Sequence, residues 1–120
     1  MPRGIQQSTE RNLQHAILEF LAYRKIYAWR SNTGAFPAAY TSKATGLTTR
    51  RFIRFGKPGI SDILGILPDG KLLAIEVKSP SGGRLRPEQV DFLDAITKNH
   101  GVAGMAKSIE DVETLLTEYV

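Results

Sequence analysis

The feature that most constrains the fold of this chain is a predicted β-hairpin centred on the tripeptide Pro68-Asp69-Gly70. Two runs rich in apolar residues flank it, at residues 60–67 and 71–78. In a three-residue hairpin loop, Pro fixes φ at the first position, Asp suits the second, and Gly takes the left-handed position. If Leu67 pairs with Lys71, residues whose numbers add up to 138 lie opposite each other. A slip or a bulge would move every such pair.

This register predicts the positions of three charged side chains. Asp62 and Glu76 lie opposite each other with Cβ atoms about 5 Å apart, and Lys78 points to the same face. A Glu-x-Lys pattern alone is usually part of a solvated face. Here both faces of the second strand carry apolar residues, which favours a half-buried position. Because opposed carboxylates repel each other, they favour a compensating cation. A divalent metal ion fits this position, and Lys78 beside it would complete a hydrolytic site.

Length and composition exclude several classes of protein. A chain of 120 residues is predicted to form a single domain. No apolar run is long enough to span a membrane, and no signal-peptide core is present, so we expect no membrane partner. The absence of cysteine excludes disulfides and thiolate sites and is compatible with the cytoplasm. His15 and His100 are too few and too far apart for a zinc cluster. The sequence contains no Walker-type loop, so we expect no nucleotide cofactor.

The net charge of +4 is unevenly distributed along the chain. Residues 1–60 carry ten basic and two acidic residues, a net charge of +8. Residues 61–120 carry six basic and ten acidic residues, a net charge of −4. No acidic residue lies between Phe20 and Ser61. That stretch contains eight basic residues: Arg24, Lys25, Arg30, Lys43, Arg50, Arg51, Arg54 and Lys57. Ordinary surfaces mix both signs, so this stretch predicts a polyanionic partner.

The first half of the chain predicts one helix and two strands around a long loop. Ser8 and Thr9 are predicted to cap a helix that runs to about residue 24. Glu10 is either a favourable partner of the helix dipole or a third carboxylate of the site. Strands are predicted at 26–30 and 50–55, with a mobile loop over 31–49. Phe36 and Tyr40 in this loop would stack on bases or pin the loop to the core.

The second half predicts a helix, a strand and a helix after the hairpin. Residues 79–84 read as a mobile connection, and Pro87 begins a helix that Gly101 ends. Gln89 lies on the apolar face of that helix, either as a boundary residue or in contact with the site. A strand at 102–106 and a last helix capped by Ser108 follow. The order of elements predicts an α/β fold with a mixed central sheet.

Several motifs together resemble a known family, the VRR-NUC (virus-type replication-repair nuclease) domain of the PD-(D/E)xK nuclease superfamily, in its stand-alone phage or prophage form. They are Gly59-Ile60-Ser61-Asp62, Glu76-Val77-Lys78 and Gln89, preceded by Glu10 with Gln14 and by Trp29-Arg30-Ser31-Asn32. The resemblance covers residues 10–116. The sequence departs from the superfamily pattern in lacking a Pro directly before Asp62, and Pro58 lies further upstream. The resemblance implies a restriction-endonuclease-like core, with helices flanking a mixed central sheet, over residues 1–120.

The resemblance also implies roles for individual residues. Asp62 and Glu76 would bind Mg²⁺ or Mn²⁺, with the carbonyl of Val77 as a further ligand. Lys78 would orient and help deprotonate the attacking water. Glu10 would hold a second metal ion or a water bound to it, and Gln89 would orient Lys78 or the substrate. Oxygen ligands of this kind suit Mg²⁺.

The function predicted from these features is that of a metal-dependent endonuclease for structured DNA. By the resemblance, it would cut four-way (Holliday) junctions as a homodimer in repair or recombination, in the cytoplasm of a bacterial or phage-infected cell. The predicted DNA contacts are Arg30, Asn32, Arg50, Arg51, Arg54, Lys57, Arg84 and Arg86. Two alternatives are a flap or single-strand nuclease and a non-catalytic basic DNA-binding accessory protein. The intact set of Asp62, Glu76 and Lys78 argues against the second.

Overall fold

A computed structural model describes residues 3–31 and 34–119, without the side chains of residues 3–8, 34–37, 52–55, 118 and 119. None of the helices in these ranges is both long and apolar enough to cross a membrane. The elements in chain order are α1 (Arg3–Tyr23), β1 (Tyr27–Arg30), β2 (Gly34–Thr41), β3 (Thr48–Phe55), β4 (Ile63–Ile66), β5 (Leu72–Val77), α2 (Pro87–Lys98), β6 (Val102–Ala106) and α3 (Ile109–Tyr119).

The central sheet has four strands in the order β1-β4-β5-β6. The first three strands are antiparallel, whereas β6 is parallel to β5 and is reached through α2. Ile63 pairs with Ile75, so the predicted register, with residue numbers adding up to 138, is confirmed. The N–H of Leu67 donates to the carbonyl of Lys71 (2.9 Å), and Gly70 takes φ 93° in the turn. The predicted α/β fold with a mixed central sheet flanked by helices, of the restriction-endonuclease type, is confirmed.

The helices cover the two faces of this sheet unequally. On one face, Ile75 and its buried neighbours pack against Ile17 of α1 and Val112 of α3. On the other face, α2 packs over β5 and β6 and buries Leu93. Strand β5 is therefore enclosed on both sides, and residues 73–77 are all buried. The charged end of β5 consequently lies inside the protein.

Two predicted helix boundaries are wrong. Ser8 and Thr9 lie inside α1, which begins at Arg3. An N-cap residue contributes only about 1 kcal/mol, and residues 3–7 contain no proline that would stop the helix earlier. Helix α2 ends at Lys98, three residues before Gly101, and the left-handed residue after it is His100 (φ 69°). The predicted cap of α3 is confirmed, since Ser108 Oγ accepts a hydrogen bond from the N–H of Asp111 (3.1 Å).

The predicted mobile loop over residues 31–49 contains a β-strand and the first residues of a second. Residues 34–41 form β2, which pairs antiparallel with β3 from Thr41↔Thr48 to Gly34↔Phe55, while residues 32 and 33 lie outside the described residues. The small residues of this segment show no alternating pattern, so only the pairing with β3 reveals the strand. We call residues 34–55 the arm. It forms its own two-stranded sheet, separate from the central one.

Candidate active site

Asp62 links three strands at one end of the central sheet. It directly precedes β4 and continues the register that places position 62 opposite position 76. Its Oδ2 atom accepts a hydrogen bond from the N–H of Val77 (2.9 Å). Its carbonyl accepts one from the N–H of Ser31, which follows β1 (2.7 Å). The backbone pairing of β4 with β5 ends at Ile63 and Ile75, and the Asp62 carboxylate bonds to β5 just beyond that point. This hydrogen bond holds Asp62 beside Glu76.

Glu76 is an almost completely buried carboxyl, with 3% of its surface exposed. Its Oε1 atom accepts a hydrogen bond from Gln89 Nε2 (2.8 Å) and lies 3.6 Å from Lys78 Nζ. Its Oε2 atom is buried without a hydrogen-bond partner. Burial, and secondarily the charge of Asp62, raise the pKa of Glu76 to about 7, although Lys78 opposes the shift. A buried carboxyl with one free oxygen suits a cation that completes its coordination.

Gln89 is held in a single orientation by two hydrogen bonds. Its Oε1 atom accepts from the N–H of Arg86 (2.8 Å), just before the first turn of α2. Because a backbone N–H can only donate, the amide oxygen faces Arg86 and the NH₂ group faces Glu76. The structure thus joins Gln89 to Glu76 rather than to Lys78. Gln89 caps α2 and at the same time orients the buried carboxyl.

Gly59 explains why α2 sits so close to the Asp62 loop. Its φ is 79°, and a Cβ atom there would collide with the carbonyl of Glu88 in the first turn of α2. Only glycine allows this backbone approach without strain. Two residues later, Ser61 is buried, and its hydroxyl has no hydrogen-bond partner. The close approach brings Gln89 within reach of Glu76, which decides between the two positions that the sequence left open for Gln89.

The turn after β5 lies over the side chain of Lys78. The N–H of Gly82 donates to the carbonyl of Ser79 (3.2 Å), so a segment predicted as a mobile connection has a defined turn. A Cβ atom on Gly83 would lie 2.8 Å from Lys78 Cβ and 2.9 Å from Lys78 Cδ. The Lys78 side chain is only 16% exposed. Gly83 therefore helps to fix the position of Lys78, and the only sequence signal for it is the pair Gly82-Gly83.

We expect Gly83→Ala to slow any reaction that depends on Lys78, without unfolding the protein. The added methyl group has to displace the Lys78 stem, and a displacement of about 1 Å near reacting groups can lower a rate roughly a hundredfold. Asp94→Ala, an exposed change on α2, is the control and should keep the wild-type rate. Single-turnover rates and melting curves of both variants measure the effect. Equal rates for both variants would show that Gly83 does not position Lys78.

The structure does not gather every predicted site residue around Glu76. Glu10 is half-buried in α1, and among the described residues no group of three His, Cys, Asp or Glu side chains is placed to hold a metal ion. The role of Glu10 therefore stays a prediction. Asp62 and Glu76 fit Mg²⁺ or Mn²⁺ through their oxygen donors and through the unpartnered Oε2 atom. Val77 reaches this point only through its backbone, because its side chain is buried in the core.

The predicted DNA contacts occupy different surfaces. Arg30 pairs with Ile63, which places it on the core-facing side of the sheet, opposite to Glu76. Arg86 is exposed and lies 3.2 Å from the carboxylate of Glu88. Arg50, Arg51, Lys57 and Arg84 are also exposed. Asn32 and the side chain of Arg54 lie outside the described residues.

The fold brings two adjacent carboxylates and a lysine together at one end of a mixed sheet, and the family comparison assigns the chain to the nuclease class. A family model for the VRR-NUC domain matches residues 8–109, and the chain belongs to this family. The family is one of nucleases that act on DNA. No curated protein and no solved structure matches the chain.

Proposed function

We propose that this protein is a metal-dependent endonuclease that hydrolyses phosphodiester bonds in structured DNA, with four-way junctions as the preferred substrate. Its place is in repair or recombination in a bacterial or phage-infected cytoplasm. The observation that carries the proposal is the buried carboxyl of Glu76, with one oxygen unpartnered, beside Asp62 and Lys78. Two adjacent buried or half-buried acids cost stability, and a cation-dependent reaction gives a reason to keep them.

Each residue of the site has a role in the proposed reaction. Asp62 and Glu76 would hold Mg²⁺ or Mn²⁺, which when bound neutralises charge on the scissile phosphate and acidifies the attacking water. Lys78, 3.6 Å from Glu76 Oε1, donates hydrogen bonds to the attacking water and to the developing phosphorane oxygen. Gln89 keeps Glu76 in place by its 2.8 Å hydrogen bond.

Cleavage assays on defined DNA structures test this proposal. Labelled linear duplex, single strand, flap and four-way junction are each incubated with the protein in Mg²⁺, in Mn²⁺ and in chelator. We expect metal-dependent cutting that is fastest on the junction. Fastest cutting of flaps or single strands would establish the alternative nuclease activity. Binding without cutting in either metal would establish a non-catalytic DNA-binding protein.

An uncovered apolar surface supports the proposed homodimer. Where α2 leaves the sheet open, Tyr27, Trp29, Ile66 and Leu72 are 72%, 39%, 44% and 38% exposed. Tyr27 pairs with Ile66 and Ile66 with Leu72, so all four residues lie on the face that carries Glu76. Clustered exposed apolar residues mark interaction sites. A second copy related by two-fold symmetry here would place two sites beside one interface, suited to cutting opposed strands.

Disrupting this face should produce monomers. We expect Ile66→Lys to dissociate the dimer, because the symmetry places two unpaired lysines at the same buried interface. Tyr23→Lys, at a residue 85% exposed at the end of α1, is the control and should remain dimeric. Sedimentation equilibrium of the three proteins measures the effect. A monomeric wild-type protein that still cuts both strands of a junction would contradict the dimer.

A further inference from the structure

The arm is a two-stranded sheet separate from the central sheet, and the chain that carries it is elongated. The radius of gyration of the chain is 17.6 Å and its longest extent is 61 Å, whereas a compact chain of this length has a radius of about 14 Å. Within the arm, residues 38–51 are exposed except for Ala38 and Ser42, which are half-buried. Isolated two-stranded ribbons are at best marginally stable in water. The shape therefore suits an element that acts by contact with a partner.

The charge of the arm identifies the chemistry of that partner. Lys43, Arg50 and Arg51 are exposed on it, and no acidic residue lies between Phe20 and Ser61. Strands of eight residues extend about 27 Å, and the major groove of DNA, about 12 Å wide, admits a two-stranded ribbon. Both the charge and the dimensions favour a DNA duplex over a protein partner.

The tip of the arm presents apolar side chains to water in a defined turn. The N–H of Ser42 donates to the carbonyl of Leu47 (2.9 Å), and the N–H of Gly46 (φ 72°) donates to the carbonyl of Ser42 (2.8 Å). Leu47 is 70% exposed and Tyr40 is 69% exposed. A leucine contributes nothing to phosphate binding. Proteins that bind the minor groove frequently insert apolar side chains of this kind between base steps, and at a branch point base steps are exposed outside either groove.

We propose that the arm lies along one duplex of a branched DNA and that Leu47 inserts at the branch point. Insertion costs least where bases are already unpaired or unstacked, so the tip favours a branch over continuous duplex. The basic residues of the arm bind linear and branched DNA with similar affinity, and Leu47 supplies the preference for a branch. This inference rests on the proposed action on structured DNA and names the element that recognises the structure.

Binding measured without cutting tests the role of Leu47. In chelator, wild type, Leu47→Ser and the control Tyr23→Ser are titrated against a linear duplex and a four-way junction with 2-aminopurine at the branch. We expect Leu47→Ser to lose roughly tenfold in junction affinity and to keep its affinity for linear duplex. Wild type and Tyr23→Ser should raise the 2-aminopurine fluorescence by unstacking the base, and Leu47→Ser should not.

The basic residues of the arm should behave differently in the same titration. Arg50→Gln with Arg51→Gln should weaken binding to linear and branched DNA alike. The slope of log K against log salt should flatten by about 0.9 for each phosphate of duplex DNA that the variant no longer neutralises.

The outcomes separate this inference from the proposed function. A Leu47→Ser variant with wild-type junction preference, or with the wild-type fluorescence change, overturns the role of the tip even if junctions are cut. An unchanged salt slope in the double Gln variant overturns the placement of the arm on duplex DNA. A wild-type protein that prefers junctions but cuts no DNA in Mg²⁺ or Mn²⁺ overturns the proposed nuclease activity and leaves the arm in its role.

Discussion

Lys78→Ala is expected to abolish DNA cutting while leaving junction binding nearly unchanged. The ammonium group lies beside Glu76 in a site with little solvent, whereas the cations that we assign to DNA affinity lie elsewhere, chiefly on the arm. Loss of one preorganised donor to a transition state typically lowers a rate by about 10² to 10³. Single-turnover cleavage and equilibrium binding to the same junction measure the two effects separately.

Lys71→Ala is the matched control for this prediction. Lys71 directly precedes β5, whereas Lys78 directly follows it. Lys71 is exposed, and its Nζ atom lies 3.6 Å from Oδ2 of Asp69. An exposed ion pair of this kind contributes little, so the variant should cut at the wild-type rate. Wild-type cutting by Lys78→Ala would remove Lys78 from the mechanism. A parallel loss of binding would assign it to substrate affinity instead.

The second large effect is a loss of stability of the metal-free protein as pH rises from about 4.5 to about 7. The folded protein raises the pKa of Glu76 from 4.5 to about 7, so in this window it binds more protons than the unfolded chain. The free energy of unfolding therefore falls with rising pH and levels off above pH 7. A pKa difference of this size corresponds to roughly 3 kcal/mol. Melting curves in chelator across this pH range measure the slope.

Glu76→Gln should remove this pH dependence and should melt above the wild type at pH 8 in chelator. Its amide oxygen can still accept the hydrogen bond from Gln89, and no negative charge is buried at position 76. Asp62→Asn should act in the same direction, because one of two neighbouring charges is lost while its oxygen can still accept from Val77. Glu113→Gln, on the exposed side of α3, is the control. The same slope in Glu76→Gln as in wild type would assign the pH effect to other groups.

Metal should reverse the pH effect in the wild type alone. A divalent cation binds the ionised carboxylates of the native state, so the thermal shift given by Mg²⁺ or Mn²⁺ should grow as pH rises to about 7. Both Glu76→Gln and Asp62→Asn should lose this shift. A full shift in Asp62→Asn would make Asp62 a structural hydrogen-bonding residue and would contradict the proposed metal site.

The amino-acid sequence alone determined the position of Asp62 relative to Glu76. A Pro-Asp-Gly loop of fixed length sets the register of the hairpin, and the pairing follows by counting residues from Leu67 and Lys71. Local sequence signals were also sufficient to predict the bounds of β6 and the cap of α3 at Ser108. Turns and caps are predictable in this way because the groups that decide them lie within a few residues of each other.

Only the tertiary structure decided which groups surround the two carboxylates and how far the pKa of Glu76 is raised. The hydrogen bond between Gln89 and Glu76 depends on how closely α2 approaches Gly59, and the cover over Lys78 depends on Gly83. Strand β2 forms because β3 lies beside it, since its small residues carry no pattern of their own. The raised pKa of Glu76 follows from burial by elements far apart in the chain. Long-range packing of this kind leaves no local period in the sequence, which is why the sequence predicted the carboxylates and Lys78 but not the burial of Glu76 or its hydrogen bond with Gln89.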